Sequence, residues 1–261
     1  MANYIHWVNH GYWNQNSFLK IFYCLGGNNP LTVNLSSSHE FTTIIESLKL
    51  LSNQDVLKSQ KRFGVTGREM LGISIYDLRK MAKGKKNHTL ALDLWETGIH
   101  EARMLAAMMD DPAQVTLAQM EAWVVDFDSW DICDVVTDEL FIHAPNMLAV
   151  IPRWVVREEE FVKRAAFAMI AAIVVHRKDV SDDIIKTYFL LIEAAADDNR
   201  NFVKKAVNWA LRNIGKWKPS LRSDAIACAK HLLIQESSSA RWIAKDALKE
   251  FINKFGGNDE I

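Results

Sequence analysis

From Ser38 onward the chain keeps a helical period almost without a break, and the residues between periodic stretches are helix punctuation rather than hairpin turns. β-branched alternation and two-residue hairpin signals are almost absent. Ser, Thr and Asn side chains accept hydrogen bonds from the free N–H groups of a helix's first turn, so they mark helix starts. Such signals stand at or near Ser38, Asn53, Ser74, Asn87, Ile99, Thr116, Ser129, Pro145, Glu158, Ser181, Asn199, Pro219 and Ser237, with Asp77 at capping-box spacing from Ser74. The expectation is an all-α protein. Two helices recur about every 35–45 residues, the period of HEAT-like repeats, and stacked helix pairs of this kind form an α-solenoid with a concave inner surface. A compact helical bundle is the structural alternative.

The chain has 261 residues, 49% of them hydrophobic, and only 5 prolines, which supports a folded core and excludes disorder and collagen. Three scattered cysteines, Cys24, Cys133 and Cys228, make no disulfide framework, so a reducing compartment, the cytoplasm, is expected. No membrane span or secretion signal is expected. Residues 1–37 differ from the rest: Lys20 is their only formal charge, and Asn, Gly, Trp and Tyr are abundant. They read as an N-terminal extension without an assigned role, ahead of a repeat domain over 38–256 and a short tail over 257–261.

A formal charge of −1 argues at first against a nucleic-acid partner. It is a cancellation of opposed blocks. Residues 1–90 carry 11 Lys and Arg against 5 acids, 91–140 carry 12 acids against Arg103 alone, and 199–256 carry 12 bases against 4 acids. Most of these charges read as solvated helix faces, and three segments ask for more.

Projected at about 100° per residue, residues 201–216 place Lys205, Trp209, Arg212 and Lys216 on one stripe and Val203, Val207, Ala210 and Ile214 on the opposite, core-facing one. A tryptophan among cations, with Lys204 beside them, suits a phosphate-rich partner that also offers rings or sugars. The other reading is that the indole caps a neighbouring helix pair. In the run from Asp126 to Val136, Ser129 is a candidate N-cap, and Trp130 and Asp134 share a face at i and i+4. A carboxylate beside an indole can stabilise a cation. The run from Glu160 to Val175 is apolar on nearly every side and should be buried. Arg164 lies in its first turns, opposed by the helix dipole, and so requires an anion: one of Glu158 to Glu160, another acid, or a ligand phosphate. No zinc-binding His spacing, CxxC, phosphate-cradling glycine loop or nucleophile elbow occurs, so neither a metal nor a cofactor is expected.

Five blocks then carry a resemblance: residues 71–83, 94–106, 127–134, 161–165 and 201–212, in that order. Together they make the chain similar to the AlkD-type alkylpurine DNA glycosylases of the DNA alkylation repair family, over roughly residues 38–256. The resemblance implies a HEAT-like solenoid with a concave DNA-binding face that hydrolyses the N-glycosidic bond of N3-methyladenine and N7-methylguanine in duplex DNA, as a monomer. It places the catalytic aspartate at Asp134, the lesion-side tryptophans at Trp130 and Trp209, and the DNA-contacting arginine at Arg164. Arg212 and the lysines Lys204, Lys205 and Lys216 fall on the phosphate-binding surface. It also implies a site able to work without a tight base pocket. The alternative is a HEAT-like scaffold that binds DNA structure or a protein without catalysis.

Overall fold

The computed structural model describes residues 35–256. The expected extension therefore lies almost wholly outside the described residues, and all of the tail but none of the repeat domain's helices beyond Leu35 does so too. Thirteen α-helices occur among the described residues: α1 (Leu35–Leu50), α2 (Gln54–Arg62), α3 (Ile75–Ala82), α4 (His88–Glu96), α5 (His100–Met109), α6 (Leu117–Val124), α7 (Trp130–Glu139), α8 (Ile151–Trp154), α9 (Glu160–His176), α10 (Asp182–Ala195), α11 (Asn201–Trp217), α12 (Arg222–Leu233) and α13 (Ser238–Phe255). No strand is formed there, only an isolated bridge between Glu69 and Ile99.

The punctuation acts as its chemistry requires. The side-chain oxygens of Asn53, Ser74, Asn87, Thr116, Ser181 and Ser237 each accept from a backbone N–H of the following turn. Two starts differ. No long helix begins at Pro145; two 3-10 turns, Phe141–His143 and Met147–Ala149, lead into the short α8. Asn146 takes a left-handed conformation with φ 57°, and Pro145 and Pro152 each lack the N–H that a continuous helix would need. α1 begins at Leu35, ahead of Ser38.

The helices form two layers. In one, α5 packs on α7, α7 on α9, α9 on α11 and α11 on α13. In the other, α4 backs α5, α8 backs α9, α10 backs α11, and α12 backs α11 and α13. The repeat period reappears as hydrogen bonds between successive pairs. Asn213 donates to the Ala171 carbonyl and the Phe202 N–H to Glu160, each across 42 residues, while Asn208 donates to Asp246 across 38. This is an α-solenoid of stacked helix pairs.

α9 is the central rod, buried at every position from Arg164 to Val174. Its alanines at 165, 166, 168, 171 and 172 let α7 and α11 approach closely, and a larger residue there would overpack the core at a cost of about 1–3 kcal/mol. Beside it, Trp95 and Trp123 stack with ring centroids 3.9 Å apart, and Phe127, Phe141 and Trp154 extend the aromatic column.

Candidate active site

Asp134 on α7 and Arg164 on α9 meet across the helix contact. Arg164 donates from Nε to Oδ1 at 3.0 Å and from Nη2 to Oδ2 at 2.7 Å, and its Nη1 donates to the Phe202 carbonyl of α11 at 2.8 Å. One guanidinium thus joins three successive helices of the layer. Arg164 does pair with an acid, but with Asp134 rather than with Glu158 to Glu160. At 6% exposure, with its fork on a carboxylate, it is not presented as a surface phosphate contact. The requirement for an anion was met within the layer, one repeat back.

Burial pushes the Asp134 carboxyl above its ordinary 3.8, against the opposing charge and hydrogen bonds of Arg164. Burial would lower Arg164, but the neighbouring carboxylate outweighs it and holds the guanidinium protonated. The adjacent Cys133 thiol is driven well above 9.0 by burial, which removes it as a nucleophile at neutral pH.

The pair lines a cavity of about 650 Å³ that Trp130, Phe63, Phe202 and Lys205 also line. Its far wall comes from α2 and from the loop between α2 and α3. Side chains of α5 and of the turn before α7 strap that loop down. Glu101, fully buried, accepts from the N–H groups of Leu71, Gly72 and Ile73 at 2.9, 2.7 and 3.2 Å. Gly72 has φ +77°, and a Cβ there would meet the Asn53 carbonyl at 2.2 Å, so no other residue suits this turn. Asp128 accepts from Arg68 N–H, and the Ser129 hydroxyl accepts from Thr66 N–H at 3.3 Å. Ser129 thus stands at the expected cap position, but its oxygen is spent on the loop rather than on α7.

A second acid, Asp131, also lines the cavity and contacts His100 Nε2 at 2.9 Å. Burial alone would lower the His100 pKa, but the hydrogen bond and charge of Asp131, with Glu101 and Asp128, carry it above 6.5. Asp131, which burial would raise, is held below 3.8 chiefly by His100.

The structure therefore brings Trp130, Asp134, Arg164 and Lys205 to one cavity. Trp209 is not among its lining residues: half-buried, the ring packs against the core, because α9 and α13 flank α11 closely enough to narrow its polar face. Arg212 and Lys216 are bound by the acids of α13, Arg212 to Asp246 at 3.1 Å and to Glu250, and Lys216 to Glu250 at 3.0 Å. Lys204 lies 5.0 Å over the Trp242 ring. Sequence reasoning placed a helix start at Asn53 but missed that α2 supplies Val56, Ser59 and Gln60 to the cavity, with Phe63 just past its end. The signal was present: Lys61, Arg62 and Phe63 form a basic and aromatic run of the kind singled out on α11. Among the described residues no group of three or more His, Cys, Asp or Glu gathers as a metal site, and no helix is long and apolar enough to cross a membrane.

The fold is that of proteins related to the HEAT-like repeat DNA glycosylases. It is similar, with a TM-score of 0.68 and 19% identity over 80% of this chain and 94% of the other, to a solved protein described as from "a new family of proteins related to the HEAT-like repeat DNA glycosylases with affinity for branched DNA structures". Residues 44–251 match the family of DNA alkylation repair enzymes, and the chain belongs to it. It is also 22% identical over 195 residues, 73% of this chain and 85% of the relative, to the uncharacterized protein Lin0241 of Listeria innocua.

Proposed function

We propose that this chain is a DNA glycosylase that hydrolyses the N-glycosidic bond of cationic alkylated purines, N3-methyladenine and N7-methylguanine, in duplex DNA. The observation that carries this reading is the Asp134 carboxylate, oriented by Arg164 at a cavity that Trp130 and Lys205 also line. An N-alkylated purine already bears positive charge and leaves as a neutral base, so little general-acid help is needed. Charge develops on the sugar instead. A fixed carboxylate stabilises that oxocarbenium-like transition state more than the ground state. A carboxylate has about four lone-pair sites, and the bidentate arginine uses two of them, which leaves sites on Asp134 for an attacking water. Trp130 keeps the carboxylate partly dry, and Lys205 supplies a cation for a phosphate beside the scissile sugar. In this reading Arg164 is a positioning residue, not a DNA contact.

A second reading is favoured by the same clamp: a carboxylate bound by both arms of an arginine can be purely structural, and the structural relative is described by its affinity for branched DNA. The chain would then bind DNA structure without cutting a bond. Incubation of the purified protein with methylated duplex DNA separates the two. Release of N3-methyladenine or N7-methylguanine by the wild type, lost in Asp134→Asn with DNA binding retained, supports the enzyme. Tight binding of four-way junctions with no base release supports the scaffold.

A further inference from the structure

We infer that α13, the last helix of the layer that holds Asp134, grips the flanking duplex through Trp242, Lys245 and Lys249, a role that the sequence pattern places on α11. This rests on the reading of the chain as a protein that acts on duplex DNA. The first reason is how charge is shared between the two helices. α11 and α13 carry four Lys and Arg each, and their only two acids, Asp246 and Glu250, are both on α13. Both turn back toward α11. Asp246 accepts from Asn208 Nδ2 and pairs with Arg212 at 3.1 Å, and Glu250 pairs with Arg212 and with Lys216 at 3.0 Å. The cations neutralised are thus two of α11. Lys204, Lys205, Arg241, Lys245, Lys249 and Lys254 make no ion pair among the described residues. α13 keeps all of its own positive charge because its carboxylates are spent on its neighbour.

The second reason is the face on which that charge lies. Projected at about 100° per residue, Trp242, Lys245, Lys249 and Asn253 share one stripe, and Ile243, Ala247 and Phe251 lie opposite it in the core. The four stripe residues are exposed, Trp242 by 40%. α13 packs on α11 and α12, and among the described residues no later helix covers its stripe as α13 covers Arg212. From α11, Lys204 lies 5.0 Å over the Trp242 ring, and Lys249 and Lys254 line a groove between the two helices. Ammonium groups displace counterions from phosphates, and an indole among them offers a surface for the sugars between. The free cations run on from Lys205 at the cavity to the end of the layer. A DNA strand can follow that course, whereas an acidic peptide would have no use for the indole.

Distance is the third. α13 stands three helices beyond α7, and packed axes ~8–10 Å apart put it roughly 25–30 Å from Asp134, about eight base pairs at ~3.4 Å each. The contact therefore belongs to the duplex beside a lesion and not to the lesion itself.

The test is anisotropy with the full chain, on an undamaged and a methylated duplex long enough to span both regions, over a series of salt concentrations. The double variant Lys245→Ala, Lys249→Ala alters two exposed helix positions to the best helix former, and circular dichroism checks its fold. The pair Lys245→Gln, Lys249→Gln replaces it should it fail. The log–log salt slope should become shallower by about 1.8, the share of two released counterions at ~0.9 each, with the same loss of affinity for both duplexes. Lys178→Ala, Lys230→Ala removes equal charge from exposed positions after α9 and on α12, and should leave the wild-type slope. Trp242→Ala should weaken binding severalfold at every salt concentration without changing the slope, and full affinity there takes the indole out of the surface. An unchanged slope in the α13 variant, an equal change in the Lys178 and Lys230 variant, or a loss confined to methylated duplex overturns the inference. Base release from methylated DNA is measured in parallel. Release with an unchanged slope sinks the α13 surface and leaves the glycosylase standing, whereas a shallower slope without release does the reverse.

Discussion

Lys205 and Arg212 lie on the same face of α11, and the solenoid treats them oppositely. Lys205 lines the cavity and makes no ion pair among the described residues, while Arg212 is taken up by Asp246 and Glu250 of the next helix pair. The same holds one repeat back, where Arg164 is captured by Asp134. Periodicity within one helix says which way a side chain points. What it meets depends on the helix one repeat away, at the same level of the stack.

This contrast can be broken at several points. The largest effect belongs to the buried pair. Arg164→Met leaves an uncompensated carboxylate and should destabilise the fold by about 3–5 kcal/mol, whereas Arg212→Met, at a half-exposed pair, should cost about 0–1 kcal/mol; denaturant titration reads both, and equal costs would erase the distinction. Asp134→Asn should next slow base release by roughly 100-fold or more, with anisotropy showing DNA still bound. Because burial raises Asp134, release by the wild type should fall with decreasing pH through a point above 3.8, the limb of an acid that must be ionised.

A smaller effect concerns phosphate. Lys205→Ala should shallow the salt dependence of DNA binding by about 0.9 in log–log slope, the share of one released counterion. Arg212→Ala should change it less, since its charge is already matched by α13, and a larger change for Arg212 would reassign the phosphate surface. The smallest is the His100 and Asp131 pair. His100 has a raised folded pKa, so its contribution is full below 6.5 and is lost as pH rises through the folded value; Asp131 has a lowered one, so its contribution is full above 3.8 and is lost as pH falls through the folded value. The two act together between those limits. His100→Gln, which keeps a donor to Asp131, should remove a stability loss on the order of 1 kcal/mol that the wild type shows as pH rises past 6.5, and an unchanged melting profile would remove histidine from the linkage.

The fold was legible because its signals are local. Asn53, Asn87 and Thr116 cap their helices by chemistry that two or three neighbouring residues decide, and the repeat period recurs as bonds across 38 and 42 residues. The candidate site was legible in part. Trp130 and Asp134 share a helix, so their proximity could be projected, but the partner of Asp134 lies 30 residues on. Nothing around Glu101 in the sequence says that its carboxylate holds the backbone of residues 71–73, which lie some 30 residues away. The run Lys61, Arg62 and Phe63 marks the end of α2 as basic and aromatic, but nothing within α2 says that Gln60 and Phe63 share a cavity with α7.

The Arg164 guanidinium, bonded at once to α7 and to the α11 backbone, has a consequence for motion. In a linear array each repeat is held only by its neighbours, so opening begins at the ends and advances seam by seam. Arg164 sits at an interior seam and spans both sides of it. Fraying of α12 and α13 would leave this clasp closed, with Asp134 still aimed, whereas opening between α9 and α11 would break the clasp before the rest of the array lets go. Hydrogen exchange should therefore find the amides of α9 among the last to open, and the site failing as one seam parts rather than as the whole chain melts.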